Sequence, residues 1–126
     1  MEKHHLAQAR IWLKSSIRTA EDSSESDDKY AVAVAMAIHA IIKANDALTY
    51  KFYQTTARKH DDAKRLFEDM VKQNHITNPN YGQIIQDAIN NKAKAEYRGA
   101  YFSKNDFDDL HRKAEKFLKM AEETTS

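Results

Sequence analysis

The amino-acid sequence predicts an all-α protein, an antiparallel bundle of about five helices joined in up-and-down order. Two observations lead to this prediction. The chain of 126 residues contains only two Gly and one Pro, which favours long helices over a turn-rich β fold. Apolar residues also recur at steps of three and four, which places them on one face of an α-helix. The length suits a single domain over residues 1–126.

The stretch from Tyr30 to Tyr53 is the most apolar of the predicted helices and is expected at the centre of the bundle. It contains neither Gly nor Pro, so nothing in it breaks a helix. One face carries an apolar stripe of Val34, Ile38, Ile41, Leu48 and Phe52. Asn45 interrupts that stripe, and we expect it to fix the packing register rather than to bind a ligand.

Four more helices are predicted around it, each from an apolar stripe bounded by capping or turn residues. The acidic segment 21–28 is too polar to pack and is expected to be a solvated loop that ends in an N-cap at Asp27 or Asp28. The first of the four extends from Glu2 to Ala20, and the next begins with an N-cap at Asp61 and ends at about Asn74. Another extends from about Asn80 to about Arg98, with Gly99 as its C-cap. The last begins with a capping box at Ser103 and Asp106 and frays from Glu122.

Composition excludes several classes of function. The absence of Cys rules out a disulfide framework and a thiol nucleophile, and a net charge of +1 gives no strong prior for non-specific nucleic-acid binding. The six His lack the spacing that puts two metal ligands on one helix, and two Gly cannot build a glycine-rich phosphate loop. We therefore predict no metal and no cofactor.

No membrane association is predicted. The N-terminal residues lack the apolar core of a secretory signal, and the apolar run from Tyr30 to Ile42 is shorter than the roughly 20 residues that span a bilayer. The expected location is the cytoplasm.

A polar stripe beside the apolar face of the central helix is the first candidate site. His39, Lys43, Asp46 and Tyr50 follow one another at steps of three and four. One interpretation is a cleft for a phosphate or a base. The other, which we favour, is a self-satisfied network in which Lys43 pairs with Asp46.

The end of the fourth predicted helix is the second candidate site. Cations and aromatic side chains alternate there without an apolar stripe, at Lys94, Tyr97, Arg98 and Tyr101. A cation can hold a phosphate while a tyrosine ring stacks on a base. The alternative is a solvated helix end, with Arg98 near the negative end of the helix dipole.

Four segments in a fixed order resemble the HEPN family of small helical domains. They are Tyr30 to Leu48, which contains IHA and KANDAL; His60-Asp61-Asp62; Tyr97-Arg98 followed by Tyr101-Phe102; and Asp106 to Leu118, of the form DF..L…AEKFL. The resemblance implies a bundle of about five helices and a homodimer. It also implies one of three roles: a ribonuclease toxin, a partner of a small nucleotidyltransferase, or a protein that binds RNA or a nucleotide.

Ribonucleases of the family have an Arg followed, after four to six residues, by a His. No Arg of this chain meets a His in that window, and after Arg98 the window holds Ser103, Lys104 and Asn105. We therefore assign no catalytic residue and expect a dimer that binds nucleotide, RNA or a nucleotidyltransferase partner. Two alternatives stay open: a metal-independent ribonuclease that joins Arg98 to His39 or His111, and a plain interaction bundle in which Trp12 reports docking.

Overall fold

A computed structural model describes residues 1–23, 26–97 and 101–126, together with their side chains except those of residues 60, 61, 96 and 97. The described residues form helices and connections without a strand, which confirms the predicted all-α fold. The five helices are α1 (Glu2–Ala20), α2 (Asp28–Tyr53), α3 (His60–Lys72), α4 (Tyr81–Tyr97) and α5 (Lys104–Thr125).

Helix α2 lies at the centre of the bundle, as its apolar content predicts, and contacts each of the other four helices. Its buried face meets side chains from all of them in one apolar core. The largest side chains that are completely buried in this core are Phe67, Phe117, Ile38, Ile41 and Leu48. Burial of this apolar surface is the main force that holds the helices together.

Contacts between side chains fix the directions of the helices. The hydroxyl of Thr19 contacts the sulfur of Met36, and the ring of His5 lies beside that of Tyr50, so α1 runs antiparallel to α2. Helix α5 runs parallel to α2, because Lys51 near the end of α2 donates to the carbonyl of Thr125 at the end of α5. An ion pair between Lys113 and Asp87, together with the packing of Tyr81 on Phe117, sets α4 antiparallel to α5.

Helix α2 is also long and apolar enough, by length and composition alone, to cross a membrane. A window of 18 residues within it has a mean hydropathy of 1.5. The sequence prediction counted only the apolar run to Ile42 and therefore underestimated the length of this apolar segment. However, 61% of that window is buried against the other helices. We therefore interpret α2 as the core helix of the bundle.

Several predicted helix ends differ from the structure. Helix α3 begins at His60 after an extended Lys59, so residue 61 lies within its first turn and the predicted N-cap at Asp61 is wrong. Asp27 occupies the N-cap position of α2, but its side chain makes no capping hydrogen bond. Helix α5 does not fray from Glu122, since it continues to Thr125, whose hydroxyl donates to the carbonyl of Ala121. Gly99, the predicted C-cap of α4, lies outside the described residues.

Candidate functional site

The two candidate sites of the sequence lie in different parts of the bundle. The side chain of Val34 in the N-terminal half of α2 lines a pocket together with Lys94 and Tyr101. Asp46 lies 12 positions further along the same helix, which corresponds to a rise of about 18 Å. The polar stripe of α2 and the end of α4 are therefore separate sites.

Lys94 and Tyr101 line one pocket of about 200 Å³, which we call the α4–α5 pocket. The other lining residues come from α2, α4, α5 and the connection before α5; they are Val34, Asn91, Phe102, Asp106, Asp109 and Leu110. Of the other two predicted residues of this site, the side chain of Tyr97 and all of Arg98 lie outside the described part of the chain.

Tyr101 presents an accessible aromatic ring at the mouth of the α4–α5 pocket. Its side chain is 71% exposed, and its hydroxyl donates to Asp27 Oδ2 at 3.1 Å. This hydrogen bond to a carboxylate raises the pKa of Tyr101, because it stabilises the protonated phenol. The bond uses only the hydroxyl end of the side chain, so a face of the ring is free to stack on a planar group.

The α4–α5 pocket also contains two carboxylates that already accept hydrogen bonds and one cation that has no partner among the described residues. Asp106 accepts from the backbone N–H of Ser103 at 2.8 Å. Asp109 accepts from Lys113 Nζ at 3.0 Å and also from Arg112, and these hydrogen bonds lower its pKa. Lys94 is exposed and has no hydrogen bond or ion pair with any residue that the structure describes. It is therefore available to an anionic ligand.

The polar stripe of α2 contains a buried carboxyl group. Asp46 is 7% exposed, and its burial raises its pKa to about 6, although the positive charge of Lys43 and a backbone hydrogen bond from Ala57 partly oppose that shift. The predicted ion pair between Lys43 and Asp46 is wrong, since no such pair exists between these two described side chains. Lys43 acts on Asp46 through its charge alone.

His5 belongs to the same cluster, although the sequence did not single it out. Its ring centroid lies 6.1 Å from that of Tyr50, and its Nδ1 is buried without a hydrogen-bond partner among the described residues. Burial and then the charge of Lys43 lower the pKa of His5. The signal that reveals His5 is the antiparallel pairing of α1 with α2, because that pairing brings the start of one helix to the end of the other.

The remaining polar candidates have structural partners. The ring of His39 stacks on Trp12 with centroids 4.8 Å apart, so Trp12 covers the edge between α1 and α2. His111 Nδ1 lies 2.9 Å from Glu115 Oε1. Neither imidazole lines the α4–α5 pocket. Asn45 donates to the carbonyl of Ala63 in α3, which agrees with the expected role in packing.

The described side chains offer no metal site. No group of three or more His, Asp or Glu among them is arranged to hold a metal ion. The polar groups at the α4–α5 pocket are a cation, an amide, a tyrosine ring with its hydroxyl, and the carboxylates of Asp106 and Asp109.

The comparison with known families agrees with the helical architecture. The family model described as HEPN domain matches residues 4–124, almost the whole chain. No curated protein matches the sequence. Because the family model extends through all five helices, the chain belongs to the HEPN domain family.

Proposed function

We propose that this protein is a non-catalytic HEPN domain that binds a nucleotide, or one nucleotide of a single-stranded RNA, at the α4–α5 pocket. The observation that supports the proposal most is the position of Lys94 and Tyr101 around one pocket, the first unpaired among the described residues and the second with an exposed ring. Proteins that bind single-stranded nucleic acids combine a cation for the phosphate with an aromatic ring on which a base stacks.

The size and charge of the pocket define how such a ligand binds. A volume of about 200 Å³ is below the 300–1,000 Å³ typical of sites that enclose a whole ligand, so it accommodates one base or one phosphate. The two carboxylates of the pocket already accept hydrogen bonds from other groups, which reduces their repulsion of a phosphate. We assign the phosphate contact to Lys94 and base stacking to Tyr101.

The groups described around the α4–α5 pocket support binding without catalysis. Cleavage of RNA without a metal needs an imidazole or a similar base beside the 2′-hydroxyl. The described residues that line the pocket include no His. We also propose that the protein forms a homodimer, as the family resemblance implies, and that a nucleotidyltransferase is an additional protein partner.

A binding experiment tests this function through two different readouts. The probes are a fluorescein-labelled hexauridylate, followed by anisotropy, and adenosine 5′-monophosphate, followed by calorimetry. Tyr101→Ala is expected to weaken RNA binding about 5-fold or more, since stacking of one base is worth about 1–3 kcal/mol. Lys94→Gln is expected to weaken binding and to reduce the slope of log K against log salt by about 0.7, the value for one phosphate contact on a single strand.

Lys119→Gln is the matched control, because it removes one exposed positive charge of α5 that does not line the pocket. Equal binding by the parent, Lys94→Gln and Tyr101→Ala would reject the site. The same labelled RNA, incubated with protein treated with a chelator, tests for cleavage. Cleavage that is lost in His39→Ala or His111→Ala would reject the non-catalytic part of the proposal, and light scattering of the same samples gives the oligomeric state.

A further inference from the structure

Side chains of the α4–α5 pocket have oxygen atoms that can accept hydrogen bonds from a ligand. Asn91 donates from Nδ2 to the backbone carbonyl of Asp87 at 2.9 Å, and because a carbonyl only accepts, this bond fixes which end of the amide is nitrogen. Its Oδ1 accepts from no described residue. The hydroxyl of Tyr101 gives its hydrogen to Asp27, so its oxygen can only accept a further hydrogen bond.

Asp106 adds a carboxylate that the start of α5 holds in place. Its Oδ2 accepts from the backbone N–H of Ser103 at 2.8 Å, which is one half of a capping box, so the side chain has a fixed orientation. Its Oδ1 accepts from no residue that the structure describes. Asp109, the other carboxylate of the pocket, already accepts at Oδ1 from Arg112 and at Oδ2 from Lys113. Asp106 is therefore the carboxylate with an oxygen left for a ligand.

The cation and the carboxylates of the pocket are separated from one another. Lys94 lines the pocket together with Asp106 and Asp109, yet it forms no ion pair with either of them. A phosphate that contacts Lys94 is therefore not forced against a carboxylate. A nucleotide has the matching polarity, because its phosphate is anionic and the far edge of its base carries N–H donors.

Guanine is the base whose donors fit a carboxylate best. Its Watson–Crick edge presents two neighbouring donors, N1–H and the 2-amino group, whereas adenine and cytosine present one amino group beside a ring nitrogen that accepts. Uracil presents a single N–H between two carbonyl oxygens, which a carboxylate repels. Unpaired bases in single strands are recognised at this edge, so a carboxylate in the pocket discriminates among them.

We propose that the α4–α5 pocket selects guanine, with Asp106 as the specificity-determining residue that accepts from N1–H and the 2-amino group. This inference rests on the nucleotide site proposed above. Lys94 and Tyr101 keep the roles assigned there, contact with the phosphate and stacking on the base. Asn91 Oδ1 adds a further acceptor for the same base.

Calorimetry of the full-length chain tests the inference with two nucleotides. The probes are guanosine 5′-monophosphate and inosine 5′-monophosphate, which lacks only the 2-amino group. We expect the guanosine nucleotide to bind at least about three-fold more tightly, a modest factor because the side chain of Asp106 is exposed and a hydrogen bond there competes with water. This comparison on the parent protein needs no variant to fold.

Asp106→Asn then tests the residue. Asn keeps an oxygen that can accept from the backbone N–H of Ser103, but it loses the charge and one acceptor. The variant should bind the two nucleotides with equal affinity. Loss of a negative charge alone would change both affinities by the same factor, so their ratio reports recognition of the 2-amino group.

Asp108→Asn is the matched control, because it removes an exposed carboxylate of the first turns of α5 that pairs with Lys104 and does not line the pocket. It should keep the parent's preference, and a thermal melt checks the folding of both variants. The inference is overturned if the parent binds both nucleotides equally, or if Asp106→Asn keeps the preference of the parent. Absence of binding by either nucleotide would instead overturn the nucleotide site itself, and this inference with it.

Discussion

Asp46 is a carboxyl group that the fold removes from water without giving it an ion-pair partner. Burial is the largest influence on it and raises its pKa from 3.8 to about 6. The folded protein therefore holds the proton of Asp46 more tightly than the unfolded chain does. Since the native state binds more protons between pH 4 and pH 6, the free energy of unfolding falls as the pH rises through that interval.

Asp46→Asn is expected to remove this loss of stability. Asn keeps an oxygen that can accept a hydrogen bond but carries no charge, so the variant should be more stable than the parent at about pH 7.5. The gain is up to about 3 kcal/mol, because one pKa unit corresponds to about 1.4 kcal/mol. Urea unfolding at several pH values between about 4 and 7.5 measures it.

Glu123→Gln serves as the control for this prediction, because Glu123 is an exposed carboxylate of the same protein. Its unfolding free energy should follow the pH dependence of the parent. If Asp46→Asn is no more stable than the parent at about pH 7.5, the carboxyl group is better solvated than its burial indicates.

Single residues also show the limit of reading function from sequence. His39, Lys43, Asp46 and Tyr50 were predicted as one stripe, because helical periodicity alone determines which residues of one helix share a face. His5 was missed because its neighbour Tyr50 belongs to another helix, 45 positions further along the chain. Helical periodicity describes contacts within one helix, whereas most of a site is made by contacts between helices.

At the scale of the elements, α5 begins with a reciprocal pair of hydrogen bonds. The backbone N–H of Asp106 donates to Ser103 Oγ at 3.1 Å, and the backbone N–H of Ser103 donates to Asp106 Oδ2 at 2.8 Å. This confirms the capping box predicted from the sequence. The same Asp106 side chain lines the α4–α5 pocket, so the cap also shapes the candidate site.

Ser103→Ala should destabilise the protein by about 1 kcal/mol, the usual cost of losing an N-cap hydroxyl. It removes the oxygen that accepts from the N–H of Asp106, whereas the opposite bond to the backbone of Ser103 remains. Urea unfolding measures the change. Ser23→Ala, an exposed loop residue before α2, is the matched control and should stay within about 0.5 kcal/mol of the parent. Equal stability of the two variants would mean that the cap contributes nothing.

Helix positions were predictable because apolar spacing and capping residues are local signals. The predicted bounds of α1 match the structure, and α2 begins two residues before the predicted Tyr30. The error at α3 has a physical cause: the extended backbone of Lys59 starts that helix, so His60 and residue 61 are already helical. Backbone conformation just outside a helix depends on tertiary contacts, and the sequence pattern does not contain them.

At the scale of the whole molecule, the bundle depends on α2, because every other helix packs against it. Buried and exposed residues of α2 should therefore differ sharply in their effect on stability. Ile38 is completely buried, whereas Val32 on the same helix is 49% exposed. This contrast follows from the bundle and would not exist in a helix surrounded by lipid or water on all sides.

Ile38→Ala should cost about 2–5 kcal/mol in unfolding free energy, because it removes buried carbon atoms and leaves a cavity. Val32→Ala should stay within about 0.5 kcal/mol of the parent, as substitutions at exposed positions usually do. Chemical unfolding of both variants, with helix content followed by circular dichroism, gives the comparison. Equal losses at the two positions would contradict a central α2.

The family and the bundle could be predicted from sequence, whereas the arrangement of the candidate sites could not. Lys94 and Tyr101 were chosen for their chemistry, and their shared pocket depends on where Phe102 and Leu110 pack. The close packing of Gly82 in α4 against the ring of Phe67 in α3 was not predicted either. Such features depend on the relative placement of helices.

The stacking of Trp12 on His39 provides the protein with a fluorescent reporter of its own. Trp12 is the sole tryptophan in the chain, so all indole emission comes from the contact between α1 and α2. Separation of these two helices would move the indole into water and shift that emission to longer wavelength. Compared with circular dichroism, which averages over all helices, this signal would show whether the first two helices part before the rest of the bundle melts.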